Sequence, residues 1–518
     1  MGSLTRRIER QLLYSRLTAA QRRRRRWLAA FLAFATTLLA AELALRLAGY
    51  RVEQLLPAQQ RELRESASRM LNEQLGTDAF LPDRFLLWKM KDGANVAGRD
   101  VNPLGLFGTP PSDKKSSGTV RILCMGDSVP ALTYVTFPVI AERFLFRSRI
   151  ARRFEILDAS VVGYTSEQVL RRYRQLRRLQ PDLVLVCVGW NDHAPPLNLP
   201  DCHLGYRTLF SEVLQRLFYW SRIYQWMSAP PAGGSRHKGP ADFAMRVSKE
   251  QFEANLRSLI REVRKAKGEV LLVTQPWRDP QVGATASTNS PAESTATLQL
   301  SYHREYNDIV RKIAATDRVL LMDLEEEFTR RRREWLLESD GIHLSGAGHN
   351  LAARMLIGAL RNCGYLSPQE FEVVVARARY ESVAPDRPRA RWAVEPSHAV
   401  VAIGQSVVFY VLVQNVGNTI WLREHVVPRF GLRQQVPYGG VEIFARITGQ
   451  DAPLGRVTTA PLPQSIYPGE STSQTLVLAP VEQPGSYIVE LGLRAAGIGE
   501  LTRFGAESTT VSLTVRPE

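Results

Sequence analysis

The sequence predicts an α/β protein: a three-layer α/β/α domain on a parallel sheet, followed by an all-β sandwich and preceded by an N-terminal transmembrane helix. Three observations carry this. Between residues 120 and 323 short apolar runs alternate with helical patterns; beyond about Pro385 strand-like runs are punctuated by turns; and residues 27–47 form an apolar stretch behind a basic tail.

The apolar runs are 120–125, 155–159, 183–188, 270–274 and 319–323. They do not alternate with polar residues, which marks strands buried on both faces, as in a parallel sheet covered by helices. A helix is expected between the third and fourth runs. Ser248 and Gln251 make an S-x-x-Q capping box, Phe252, Leu256, Leu259, Ile260 and Val263 share one face, and Gly268 ends it. In such a sheet the reactive residues belong beyond the carboxyl ends of the strands. Two inserts interrupt the alternation, 195–244 with Phe218, Tyr219, Trp220, Tyr224 and Trp226, and 276–301, rich in Ser, Thr, Ala and Pro. Their lengths suit lids or irregular loops.

At 518 residues the chain exceeds one hydrophobic core. We divide it into a basic tail (1–26), a membrane-spanning signal-anchor (27–49), a stalk (50–118), the α/β domain (119–376), a linker (377–392) and the sandwich (393–518). The sandwich expectation rests on a strand at 406–414, the turn at Val416, Gly417 and Asn418, a strand starting at Thr419, Pro-Gly turns at 468–469 and 484–485, and a last strand at 508–515.

The formal net charge of +16 invites a nucleic-acid reading, but its distribution argues against one. Residues 1–26 hold nine arginines and one acid, a net +8 and half of the total. A basic tail abutting an apolar run is explained by membrane topology, with the tail in the cytoplasm and the bulk outside. Glu42 and Arg46, four apart, are expected to pair and reach toward the far interface. A cleavable signal peptide is the alternative; the long basic region and the lack of a small-x-small site favour the anchor. Four cysteines do not make a disulfide framework in an exported chain of this size. Cys124 and Cys187 lie in apolar runs and read as buried, and whether Cys202 and Cys363 pair is open. No cysteine or histidine spacing resembles a zinc site, so neither metal nor cofactor is expected.

The chemistry-bearing residues fall at the strand ends. Gly126-Asp127-Ser128 follows the first run and sets a serine hydroxyl on a turn. A hydroxyl needs a base, and the base needs a carboxylate to fix its tautomer; Asp340-Gly341-Ile342-His343 supplies both three residues apart. Acyl transfer also needs donors for a developing oxyanion. Gly163 closes the second run, where a missing side chain lets its N–H approach a substrate, and Asn191, in Gly189-Trp190-Asn191-Asp192, closes the third. The Ser128 N–H would be a third donor. His193 reads as a solvated loop residue and His349 as structural. The insert aromatics either line a pocket or pack a helix on the sheet.

In these four blocks and their order, residues from about 102 to 366 resemble the SGNH hydrolases, also called GDSL esterases. The resemblance implies a flavodoxin-like fold, a catalytic triad of Ser128, His343 and Asp340, an oxyanion hole of Ser128, Gly163 and Asn191, and no cofactor. One departure is the run Val129-Pro130-Ala131-Leu132, where many relatives carry a small polar residue or glycine. The segment after the linker loosely resembles Ig-like modules, through Asn415, Gly417 and Trp421; it suits a glycan- or protein-binding module or a spacer, with Trp421 read as core.

The expected function is a membrane-anchored serine esterase cleaving an acyl ester, O-acetyl included, on an extracytoplasmic glycan. Two alternatives stand beside it: an acyltransferase using the same triad with a glycan hydroxyl as acceptor, and a catalytically silent surface scaffold. Nucleic acid is not an expected partner.

Overall fold

The computed structural model describes residues 18–50, 57–112, 114–133, 135–195, 201, 213–214, 217–228, 245–277, 291–330, 336–338, 340–378, 380–424, 426–428, 435–448 and 457–517. Much of both inserts therefore lies outside the described residues, as does Cys202.

The five apolar runs form one parallel sheet. Its strands are β1 (Thr119–Gly126), β2 (Arg153–Asp158), β3 (Leu183–Cys187), β4 (Glu269–Thr274) and β5 (Leu320–Asp323), in the order β2-β1-β3-β4-β5. Register aligns Cys124 with Asp158, Gly126 with Cys187 and Cys187 with Val273, so three strands end nearly level. Leu123 and Met125 of β1 enter one core while Ile122 and Cys124 enter the other, which is why 122–125 are all apolar; the buried Arg121 before them is satisfied by Glu155 and the Leu179 carbonyl. Helices Ser166–Leu176, Lys249–Lys265 and Pro291–Asp317 cover the first face through Tyr173, Phe252, Leu256 and Tyr306. Helices Phe137–Ser148, Gly346–Asn362 and Pro368–Arg377 cover the second through Phe144, Leu356, Leu360 and Val374. The 2-1-3-4-5 order is the flavodoxin-like winding, with its switch point between β1 and β3.

Local expectations hold with two adjustments. Ser248 caps Lys249–Lys265 by accepting from the Gln251 N–H, but the Gln251 amide turns to Asn255 instead of closing the box. The left-handed residue after that helix is Lys267, ahead of Gly268. In the second insert, the part from Pro291 onward is helical and continues to Asp317.

The larger difference is at 57–107, expected as part of a stalk. The helix Pro57–Leu75 and the hairpin Phe80–Asp83 with Leu87–Met90 pack on the first face of the sheet, burying Ala67, Leu71, Phe80, Leu86, Trp88 and Met90 in its core. The helix contributes few apolar residues, and Gln60, Arg64 and Ser68 are buried beside them, so its sequence reads as polar. Trp88 is the anchor: its indole N–H donates to the Val162 carbonyl at 3.0 Å, and its own carbonyl accepts from the Tyr164 hydroxyl at 2.8 Å.

Beyond the α/β domain, Ala390–Glu395, Val407–Asn415 and Ser471–Leu478 form one antiparallel sheet. A larger sheet is ordered His398–Ala402, Thr509–Arg516, Gly485–Ala495, Val441–Thr448 and Val457–Pro461. The two enclose a core with Phe409, Trp421, Ile443 and Leu491, so Trp421 is fully buried. Part of the 377–392 segment is folded. Tyr380, Val383 and Ala384 are buried with the α/β core, Tyr380–Glu381 pairs with Thr419–Ile420, and the first sandwich strand starts at Ala390. At the other end, Ala19–Leu47 is the helix among the described residues that is long and apolar enough to cross a membrane.

Trp88 ties the 57–107 segment to the sheet, so Trp88→Ala should cost roughly 3–5 kcal/mol of stability, the range for emptying a buried large aromatic. Chemical denaturation of the full chain in detergent measures this; a loss below about 1 kcal/mol would mean the segment is peripheral to the core.

Candidate active site

Ser128 sits at the first position of a one-turn helix, Ser128–Ala131, entered directly from β1. Asp127 caps that turn, its Oδ1 accepting from the Val129 N–H at 2.9 Å. The capping carboxylate is itself fully buried. Gln275, just past β4, donates its amide to both Asp127 oxygens at 3.0 and 2.9 Å, and the Asn191 amide donates to Oδ2 at 3.3 Å. Burial pushes the Asp127 carboxyl up to about 6, against the opposing pull of those donors and of nearby His343.

The same Asn191 amide also donates to the Tyr164 carbonyl at 3.3 Å. Asn191 thus bridges the turn carrying Ser128 and the turn carrying Gly163, and the three candidate oxyanion donors stand on adjacent strand ends. Gly163 has φ +79°, and a Cβ there would approach the Trp88 ring to 3.0 Å, so both backbone and packing require glycine. Its carbonyl accepts from Arg246 at 2.7 Å, and no described residue accepts from its N–H. Asp192 faces the other way. Its carboxylate receives the Ser166 N–H at 2.9 Å and hydroxyl at 2.6 Å, fastening the start of the helix Ser166–Leu176. Burial pushes this carboxyl up to about 7.

Asp340 and His343 lie on one turn before the helix Gly346–Asn362. Asp340 Oδ1 accepts from the Ile342 and His343 N–H groups at 2.9 and 3.0 Å, and Oδ2 lies 2.6 Å from His343 Nδ1. Partial burial opposes ionisation of Asp340, but the His343 ring and these two backbone donors hold its carboxyl down to about 2. With Nδ1 engaged, His343 Nε2 is the nitrogen left for chemistry. It is buried and has no hydrogen-bond partner among the described residues. The serine and the histidine are therefore not yet bonded to each other, a common state of unliganded sites.

The turn is held from both sides. Gly348 lets the backbone pass against the Leu336 carbonyl, which a Cβ would meet at 2.1 Å. His349 is fully buried, and its Nδ1 accepts from the Phe137 N–H at 3.1 Å, fixing the histidine helix to the segment after Ser128.

Two features escaped the sequence reading. Gln275 connects the site internally: besides gripping Asp127, its side-chain oxygen accepts from the Trp190 N–H at 2.8 Å, and its carbonyl accepts from Asn307 at 2.9 Å. A lone glutamine after a strand carries no pattern that reveals this. His193, expected in solvent, is buried; its Nε2 lies 3.3 Å from His303 Nδ1, and its ring packs edge-on against Trp190 and Tyr306. Helix Pro291–Asp317 brings His303 over the loop from 110 residues away, a proximity invisible in the sequence. Burial, with His303 close by, holds His193 down to about 3. Among the described residues no group of three or more His, Cys, Asp or Glu side chains is placed to hold a metal ion. The insert aromatics Phe218, Tyr219, Trp220 and Trp226 are exposed and stand outside the buried cores.

With this geometry in view, residues 124–241 and 237–351 match the GDSL-like lipase/acylhydrolase family. No curated protein matches the chain by sequence. Among solved structures, an acetylxylan esterase, Axe2, from Geobacillus stearothermophilus is similar at 18% identity, covering 46% of this chain and 93% of that one with a TM-score of 0.30. TesA is similar at 17% identity over 47% of this chain and 98% of its own, with a TM-score of 0.30. A GDSL-like lipase from Bacteroides thetaiotaomicron is similar at 14% identity over 47% and 88%, with a TM-score of 0.29. The family match falls on the strands and turns that carry Ser128, Gly163, Asn191 and His343, so residues 124–351 are a GDSL-like lipase/acylhydrolase domain of the serine ester hydrolase type.

Proposed function

We propose that Ser128, His343 and Asp340 are the catalytic triad, and that the chain cleaves an acyl ester, such as an O-acetyl group, on a glycan outside the cytoplasm. The observation that carries the triad is the Asp340–His343 pair, which leaves one buried, unengaged imidazole nitrogen on the turn packed beside the Ser128 segment. His343 Nε2 takes the proton as Ser128 Oγ attacks the acyl carbonyl, and returns it to the leaving alcohol. Asp340 holds the ring so that Nε2 is the basic nitrogen. The Ser128 and Gly163 N–H groups stabilise the oxyanion, joined by the Asn191 amide as it releases one of its two long 3.3 Å contacts, to Asp127 or to the Tyr164 carbonyl, and water then releases the acyl group.

Location supports the glycan reading. Taken as a single span, the helix Ala19–Leu47 has its N-terminal arginines, 22–26, at the cytoplasmic end and the α/β domain on the outer side. Acyl groups on envelope or secreted polysaccharide are the esters within reach of a domain so tethered.

Four outcomes test this reading. Ser128→Ala should abolish turnover of an aryl acetate by the full chain in detergent and release of acetate from an O-acetylated polysaccharide; retained turnover removes Ser128 as nucleophile. Asn191→Ala should lower kcat by about 100- to 1,000-fold, the usual cost of one oxyanion donor, and an unchanged kcat would remove Asn191 from the oxyanion hole. Asp340→Asn should lower kcat by about four orders of magnitude. A linked effect appears in stability. The folded Asp340 pKa of about 2 lies below its ordinary 3.8, so the ion stabilises the fold above about pH 4 and loses that contribution as pH falls through about 2. The stability gap between wild type and Asp340→Asn, read by urea unfolding, should be widest above pH 4 and close toward pH 2; a gap that widens on acidification contradicts the assignment.

A further inference from the structure

Glu42 lies near the far end of the apolar helix, yet it is not simply paired with Arg46. It accepts from Arg46 Nε at 2.8 Å, and it also receives the Ser221 hydroxyl at 2.8 Å and the N–H groups of Arg222 and Ile223 at 2.9 and 3.0 Å. Those two N–H groups open the short helix Arg222–Ser228. Arg46 adds a bond to the Trp220 carbonyl at 3.1 Å. A carboxylate on a spanning helix is costly unless its acceptor sites are filled, and here a segment 180 residues away fills them.

That contact fixes depth. Fifteen residues separate Trp27 from Glu42, about 22 Å of helix at 1.5 Å per residue, and Arg46 lies about 28 Å from Trp27, against a hydrocarbon thickness of about 30 Å. With Trp27 at the inner edge, the turn at 221–223, bonded to Glu42, and Trp220, bonded to Arg46, fall within the outer ~8 Å of the hydrocarbon layer. Around it Leu217, Phe218, Tyr219, Trp220, Trp226 and Met227 project outward, Trp226 and Met227 being 61% and 73% exposed. Arg222 is the single charged residue from 217 to 228. The Trp220 indole N–H donates to the Leu217 carbonyl at 2.8 Å, so its polar atom is satisfied without water. Exposed Trp and Tyr beside a cationic residue at that depth suit the headgroup boundary, where amphipathic rings concentrate.

We propose that residues 217–228 are a second membrane contact: an aromatic segment lying at the outer headgroup boundary of a phospholipid bilayer, fastened to the spanning helix by Glu42. It rests on the reading of Ala19–Leu47 as a span.

The test is site-directed spin labelling of the full chain in phosphatidylethanolamine/phosphatidylglycerol nanodiscs, with Cys202 and Cys363 replaced by Ser. Labels go at Trp226→Cys, at Thr36→Cys in the middle of the apolar helix, and at Tyr410→Cys on the exposed face of the sandwich. Collisions with oxygen and with a water-soluble nickel chelate are compared. The expected result at position 226 is an oxygen-to-nickel ratio between the high value at 36 and the low value at 410. A ratio at 226 equal to that at 410, with 36 still high, overturns the second contact and leaves the span standing. Poor access of both reagents at 226 means that protein covers the segment and also overturns it. A low ratio at 36 removes the span and the proposal together. Glu42→Ala should raise the mobility of the label at 226, and unchanged mobility overturns the fastening.

Discussion

Asp127 is a carboxylate with no exposure to water, placed one residue before the serine, and the site depends on the donors that make its burial tolerable. A buried charge without partners is strongly destabilising. Here the Val129 N–H, both contacts from the Gln275 amide and the Asn191 amide surround it, and their sources are the ends of β1, β4 and β3 respectively. The carboxylate thus joins three neighbouring strands at the level where the chemistry is placed. Burial pushes its carboxyl up to about 6 against the pull of these donors. Gln275 carries the restraint outward to Trp190 and to Asn307 on the helix Pro291–Asp317.

Around this centre the fold divides its duties. The parallel strands, buried on both faces, provide level ends at the switch point. The 57–107 segment supports the Gly163 turn from below, with Trp88 occupying the space that a Cβ at Gly163 would need. The second-face helices present the Asp340–His343 pair, since His349 and the glycine at 348 allow the Gly346–Asn362 helix to press against the Leu336 and Phe137 backbones. The proposed nucleophile and oxyanion donors therefore come from the strand ends of one sheet, and the proposed base from the helical layer behind it.

The sheet was legible because strands with two buried faces write continuous apolar stretches, 122–125 in β1, Leu183–Cys187 in β3 and 270–273 in β4. Ser128, Gly163, Asn191 and the Asp340–His343 pair were legible because each stands in a short block at a strand end or helix start. The restraint between them was not. Gln275 is one polar residue before a proline, His193 is buried by a helix from 110 residues away, and Glu42 is capped by a turn 180 residues away. Such contacts leave no local period. The 57–75 helix misled for a different reason: it buries Gln60, Arg64 and Ser68 alongside Ala67 and Leu71, so its inward face does not look apolar.

The central claim is that Ser128 is the residue that becomes acylated. Its most direct measurement is peptide mapping of the full chain after reaction with a fluorophosphonate, which phosphonylates activated serines. A single stoichiometric adduct is expected on Ser128, formed in the wild type and greatly slowed in His343→Ala. An adduct on another serine, or none on folded protein that still turns over an ester, would contradict it.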